Sequence, residues 1–248
     1  MTRSPAPRRL AQALATGALL LSLAGGPAGA AAPAPWKAVL VAGDNAEPVF
    51  DNAVAAVALW LAGRGVKPGD IHRFSASPPA RDPSIEPASG RRVLQAIADL
   101  AARPGERCLI FMTSHGKRDE GLWLAYRGEF LTPAELARAL ALGCAAAPSV
   151  VIVSSCYSGA FSEGAMQAAN RIILTAARAD RPSFGCAAGY TYTVFDECLL
   201  ATLAHQRSWR ATYRRNLRCV QRREKSLAVL PSRPQAFFGA AVRTLTLR

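Results

Sequence analysis

Apolar and polar positions fall in blocks along the chain, and the blocks alternate in period. Trp36 to Gly43 is a near-continuous apolar run that ends in a turn residue, the pattern of a buried strand. Phe50 to Arg64 then places Val54, Val57, Ala58 and Leu61 on one helical face, and Gly65 with Pro68-Gly69-Asp70 stops that helix. Ile71 to Ser75 reads as a short second strand. Ala76 to Gly90 is rich in Pro and Ser and reads as a loop, of a length that in a compact domain goes with function or mobility. Arg91 to Arg103 reads as a second helix closed by Pro104-Gly105, Arg107 to Thr113 as a strand, and Gly121 to Phe130 as a hairpin. Thr132 caps a third helix, with Pro133 at its first position and Glu135 three residues after the cap. Val150 to Ser154 and Arg171 to Ala176 are further strands. This alternation predicts an α/β fold with a mostly parallel sheet covered by helices on both faces. No internal repeat and no second composition regime divides the chain, so residues 31–248 are expected to form one domain.

The N-terminus changes the picture of compartment. Arg3, Arg8 and Arg9 precede an apolar stretch from Leu10 to Leu23, and Ala28-Gly29-Ala30 offers a small-x-small cleavage site. The chain is expected to be exported, to a periplasm or beyond, with residues 1–30 removed as a signal peptide. The formal charge is +13 for 248 residues, and removal of those three arginines leaves it strongly positive. Much of that charge lies in 206–225, where Trp209, Tyr213, Leu217 and Val220 recur at helical spacing among seven arginines. The pattern reads as a surface helix with its apolar stripe on the core. Its basic side is a candidate contact for an anionic envelope. No reader motif accompanies it, so no specific nucleic-acid partner is expected. The Gly-containing turns form neither G-x-G-x-x-G nor a P-loop. Nothing in the sequence signals an oligomeric state.

Six cysteines are present, at 108, 144, 156, 186, 198 and 219. An exported chain meets oxidising conditions, so disulfides are expected. With Cys156 kept as a free thiol, one of the other five stays unpaired, and Cys186 with Cys198 is the pairing to test first. There is no C-x-x-C, and the histidines at 72, 115 and 205 are scattered, so no zinc site is expected.

Two of the strands carry candidate chemistry. Cys108-Leu109-Ile110-Phe111-Met112-Thr113-Ser114-His115-Gly116 runs an apolar segment into a His-Gly. Ser149-Val150-Val151-Ile152-Val153-Ser154-Ser155-Cys156 runs another into a Cys, followed by Tyr157-Ser158-Gly159. If these strands are parallel neighbours, an imidazole and a thiol meet at the carboxyl edge of the sheet, where open α/β sheets bind ligands. A Cys with a nearby His is an activated nucleophile with its base. The oxyanion formed on attack needs preorganised donors, and the backbone N–H groups of Gly116 and Cys156 are the candidates. Such acyl-transfer chemistry calls for no metal and no organic cofactor, and its substrate would be a peptide or protein.

The strand-Ser-His-Gly and strand-Cys-x-Ser-Gly segments resemble the caspase/legumain clan of cysteine peptidases, and most closely its legumain-like C13 family. Val41-Ala42-Gly43-Asp44-Asn45, Gly65 to Ile71, and Thr175-Ala176-Ala177 through Ser183-Phe184-Gly185-Cys186 extend the resemblance over roughly residues 37–200. It implies a caspase-like three-layer α/β/α fold, Cys156 as nucleophile and His115 as base. It also implies Asn45 as the group that orients the imidazole, with Ser154, Ser183 and Asp196 as substrate-binding positions. The chain departs from the family after the Asn turn, where Pro48, Val49 and Phe50 replace an Arg-His pair. It departs again at Ser154, which stands in place of an acid. A pocket for Asn or Asp would use those groups, so the resemblance carries no residue preference. The implied activity is an exported endopeptidase acting through an acyl-enzyme. The same dyad also serves a peptide transamidase or ligase, and a catalytically silent binding protein with a basic surface is the reading from another class.

Overall fold

Four apolar runs supply the centre of a seven-stranded sheet. In the computed structural model, which describes residues 1, 2, 4, 35–78 and 82–247, they are β1 (Trp36–Ala42), β4 (Arg107–Thr113), β8 (Ser149–Ser154) and β9 (Arg171–Thr175). β2 (Ile71–Ser75), β3 (Ile85–Pro87) and β10 (Gln235–Phe238) complete it in the order β10-β9-β8-β4-β1-β2-β3. Every pairing is parallel except that of β10 with β9. A separate three-stranded sheet joins β5 (Gly116–Lys117), β6 (Gly121–Leu124) and β7 (Glu129–Leu131), and its last two strands are the expected hairpin. All these elements belong to the compact unit Pro33–Arg248. The expected signal peptide falls almost wholly outside the described residues.

Helices cover both faces, which is why the central strands are apolar on successive residues rather than alternate ones. α1 (Val49–Ala62), α4 (Val194–Leu203) and α5 (Trp209–Ser226) pack on one face, where Leu40, Leu109, Phe111, Val150, Ile152 and Leu174 meet Phe50, Leu199 and Trp209. α2 (Gly90–Asp99) and α3 (Pro133–Gly143) pack on the other, against Val39, Ile110, Met112, Val151 and Ile173. The fold is thus the three-layer α/β/α arrangement with a mostly parallel sheet. α3 starts where the sequence places it. The Thr132 hydroxyl accepts from the Glu135 N–H, and the Glu135 carboxylate accepts from the Thr132 N–H at 2.9 Å. Among the described residues no helix is long and apolar enough to cross a membrane.

Three expectations need correction. The 76–90 stretch is not all loop, because Ile85–Pro87 adds an edge strand beside β2. Three residues are too few to show a period, and an edge tolerates the proline. β10 was not anticipated, and of α4 only a helix start at Asp196 was weighed. The disulfides join Cys108 to Cys144 and Cys198 to Cys219, not Cys186 to Cys198. Cys198 and Cys219 lie on two helices packed together, with Cα atoms 5.6 Å apart, whereas Cys186 sits in the irregular segment before α4 and stays free with Cys156.

Each disulfide closes a loop of tens of residues and so is worth about 3–4 kcal/mol by loop entropy. In a denaturant melt, Cys219→Ser is expected to lower the unfolding free energy by about 3 kcal/mol. Cys186→Ser is expected to change it by less than about 1 kcal/mol. A Cys186–Cys198 peptide in a non-reduced digest would refute this pairing.

Candidate active site

β4 and β8 are direct parallel neighbours, paired from Cys108↔Ser149 to Thr113↔Ser154. Both strands end at the same level, and the next bond carries the pairing one step further, with Ser114 N–H donating to the Ser154 carbonyl at 3.1 Å. His115 and Cys156 each lie two residues beyond the last pair. The chains stay in contact there, since a Cβ on Gly116 would collide with the Cys156 carbonyl oxygen and press on the Ser155 side chain. Glycine at 116 is therefore a requirement of close approach. The structure brings His115, Gly116 and Cys156 to one rim of the sheet, as the strand-end reading expects.

Each side chain has a distinct neighbour. The imidazole meets the Phe50 ring of α1 edge-on, with centroids 5.4 Å apart. The Cys156 sulfur is held by Ser183, whose N–H donates to it at 3.3 Å and whose hydroxyl does so at 3.7 Å. The thiol in turn reaches the Ser183 carbonyl at 3.6 Å. Among the described residues, all the hydrogen bonds of the thiol go to Ser183. Tyr157, directly after the cysteine, has a left-handed backbone with φ of 58°, an uncommon conformation for a non-glycine residue. Its N–H is anchored on the Arg181 carbonyl at 2.8 Å. The segment 176–193 thus carries Ser183 against the sulfur and Arg181 against the turn that follows it.

Among the described residues Asn45 makes no hydrogen bond to the imidazole. It is exposed, and its amide donates to the Ser77 hydroxyl at 2.6 Å. The turn is closed instead by Asp44, whose carboxylate accepts the Ala46 N–H at 2.7 Å. The expected orientation of His115 by Asn45 has no hydrogen bond to carry it, and the Phe50 ring lies against the imidazole. Sequence reasoning placed Phe50 at a helix start and marked it as a departure from the family pattern, not as a neighbour of His115.

Ser154 and Asp196 also differ from expectation. They are 2% and 0% exposed, so neither offers surface to a substrate. Asp196 lies in the first turn of α4, under the ends of β4 and β8, and accepts the Thr113 hydroxyl at 2.7 Å. The Thr193 hydroxyl caps the helix by accepting the Asp196 N–H, and the Ser154 and Thr193 hydroxyls lie 3.3 Å apart. Burial pushes the Asp196 carboxyl up to about 6, and the hydroxyls of Thr113, Thr193 and Ser154 act the other way. Ser183 alone of the three substrate-binding positions is partly exposed.

The second free thiol, Cys186, is half-buried. Burial, and after it the proximity of Cys156, raises its pKa, with Asp44 and Glu47 adding smaller contributions in the same direction. At neutral pH it is a protonated, poorly nucleophilic neighbour. Among the described residues no group of three His, Cys, Asp or Glu side chains is placed to hold a metal ion.

The buried carboxyl makes stability depend on pH. Below about pH 4 the folded and unfolded chains both hold the Asp196 proton. Between about 4 and 6 only the folded chain holds it, so stability falls as pH rises through that window, by about 3 kcal/mol in full. Asp196→Asn is expected to remove this slope and to be relatively more stable at pH 7 than at pH 4. Parallel melts of the two proteins at both pH values measure it, and an unchanged difference would show that the carboxyl titrates normally.

Comparison with known families matches residues 91–220 to the peptidase C13 family. That span runs from α2 to α5 and contains His115, Cys156, Ser183 and Asp196. No curated protein matches the chain.

Proposed function

From the premise that this chain belongs to the peptidase C13 family, and is therefore of the cysteine peptidase type, we propose that it is an endopeptidase with Cys156 as nucleophile and His115 as its base. The observation that carries this reading is the level ending of two adjacent parallel strands, each delivering one of the pair two residues later. The sulfur attacks a peptide carbonyl as the thiolate, and the imidazole takes its proton. The imidazolium then protonates the leaving amine as the C–N bond breaks, which leaves an acyl-enzyme on Cys156. Water, activated by the same imidazole, releases the acid. The N–H groups of Gly116 and Cys156 are the proposed donors to the oxyanion. Ser183 positions the sulfur and is the proposed wall of the substrate site, while Ser154 and Asp196 support that site from beneath. Phe50 limits the tilt of the imidazole without offering it a charge. Export with cleavage near Ala30 is part of the proposal, since the basis for it is the N-terminal sequence alone.

The irreversible labelling of thiols tests the dyad. Cys156 is expected to react with an alkylating probe near neutral pH well before Cys186, and His115→Ala is expected to slow that labelling. Against a peptide library, Cys156→Ala is expected to abolish cleavage, and His115→Ala to lower kcat/KM by about 10²–10⁴-fold. Equal labelling of both free thiols, with no cleavage of any peptide, would favour the silent binding protein. Product joined to an added amine, in excess over free acid, would assign the chain to acyl transfer.

Two further measurements bear on the site. Gly116→Ala pushes the Cys156 carbonyl out of place, so it is expected to lower kcat by at least about 10²-fold with a smaller effect on KM. A chelator is expected to leave cleavage intact, and loss of activity restored by added zinc would overturn the metal-free mechanism.

A further inference from the structure

We propose that the outer face of α5 docks this protein on an anionic phospholipid bilayer, without insertion. The inference stands apart from the catalytic reading and comes from a different surface. α5 spans Trp209–Ser226 and packs against the sheet through Trp209, Thr212, Asn216, Val220 and Glu224, all buried. At 100° per residue, Arg210, Arg214, Arg215, Arg218, Arg222 and Lys225 then fall within about 140° on the opposite side. All but Arg210 are exposed, and Arg210 lies over the Phe238 ring at 4.5 Å.

That face is not neutralised from within the fold. The only acid in the helix is Glu224, which is buried and accepts the Ser232 N–H at 3.0 Å. Glu197 of α4 pairs with Arg223, which lies off the basic face. Among the described residues, Arg214, Arg215, Arg218, Arg222 and Lys225 take part in no ion pair.

The shape of the array selects the occupant. The charges spread across the helix as well as along about 22 Å of its length, so they form a patch rather than a single file. A patch matches a plane of headgroups better than one line of phosphates. The helix cannot insert, because its apolar stripe is already spent on the core.

Co-sedimentation of the purified protein with vesicles tests this. Binding to phosphatidylglycerol/phosphatidylcholine vesicles is expected, with little binding to phosphatidylcholine alone and loss of binding at high salt. The triple variant Arg214→Gln/Arg218→Gln/Arg222→Gln is expected to bind about a hundredfold more weakly. Gln221→Arg, which adds a charge on the same exposed face, is expected to bind more tightly. The proteins compared are identical elsewhere, so the apolar stretch at 10–23 contributes equally to each. Thermal melts and peptide cleavage of the variants report whether the fold survives. Equal binding to charged and neutral vesicles, or a triple variant that binds as the parent does while Gln221→Arg gains nothing, would overturn the proposal. Salt-sensitive binding to duplex DNA with none to vesicles would do so too, and would give the face to nucleic acid.

Discussion

The pairing of β4 with β8 in one register sets the height at which two loops leave the sheet. Parallel strands matched through Thr113↔Ser154 must release their loops side by side, and the Ser114–Ser154 bond holds the two chains together for one more residue. A slip of one residue would turn every side chain of β8 to the opposite face. Hydrophobic pattern alone guards weakly against that slip here, because both faces of the sheet are apolar and Val151 or Ile152 could fill either core. The polar specification comes from α4. Asp196 is buried against the Thr113 hydroxyl, and Ser154 meets the helix cap Thr193, so the hydroxyl-bearing ends of both strands must lie on the α4 side. The register that brings Thr113 to this carboxyl is the one that places His115 and Cys156 at the same rim.

The carboxyl that specifies the register also opposes folding at neutral pH, since its charge is held out of water. An apolar residue at 196 would remove that penalty and leave Thr113 without its acceptor. A destabilising group directly beneath the proposed reactive edge fits the general pattern that local rules are broken where a site needs support. The edge itself shows a second instance in Tyr157, which adopts a left-handed backbone immediately after the proposed nucleophile and is anchored by Arg181. Both devices act on the same short stretch of chain, one from below the sheet and one from the loop above it.

The regular part of this architecture was legible because long apolar runs and a capping box are local signals. β2 and β4 were read with their observed bounds, and the ends of the other central strands shift by only a residue or so. The hidden elements depend on partners far away in sequence. β10 exists because Ala236 and Phe238 pair with Leu174 and Ile172, not because four residues carry a strand period. The Cys198–Cys219 bond comes from how α4 and α5 pack, which no spacing rule contains. Within the site, His115, Gly116 and Cys156 were legible since each closes a strand or opens the turn beyond it. The grip of Ser183 on the sulfur was not, as residue 183 lies in an irregular segment whose path is set by its anchors. The burial of Asp196 was equally invisible, because its position at a helix start reads the same whether that turn faces solvent or core.

Asn45 marks the limit of reading a residue by its position in a motif. The turn that carries it lies outside the span matched to the family, and its resemblance to the family stops before Pro48, Val49 and Phe50. An amide orients an imidazole only if the chain beyond the turn leaves room between them. Here α1 begins at Val49, and its second residue puts an aromatic edge against the ring. The Asn45 amide is bonded to Ser77, and Asp44 closes the turn. A packed ring restrains tilt by contact, whereas an amide would restrain it by a hydrogen bond to one nitrogen. The first leaves the imidazole free to exchange tautomers and the second does not. The bulky apolar residue shortly after the turn thus sets how the proposed base is held, by packing against its ring.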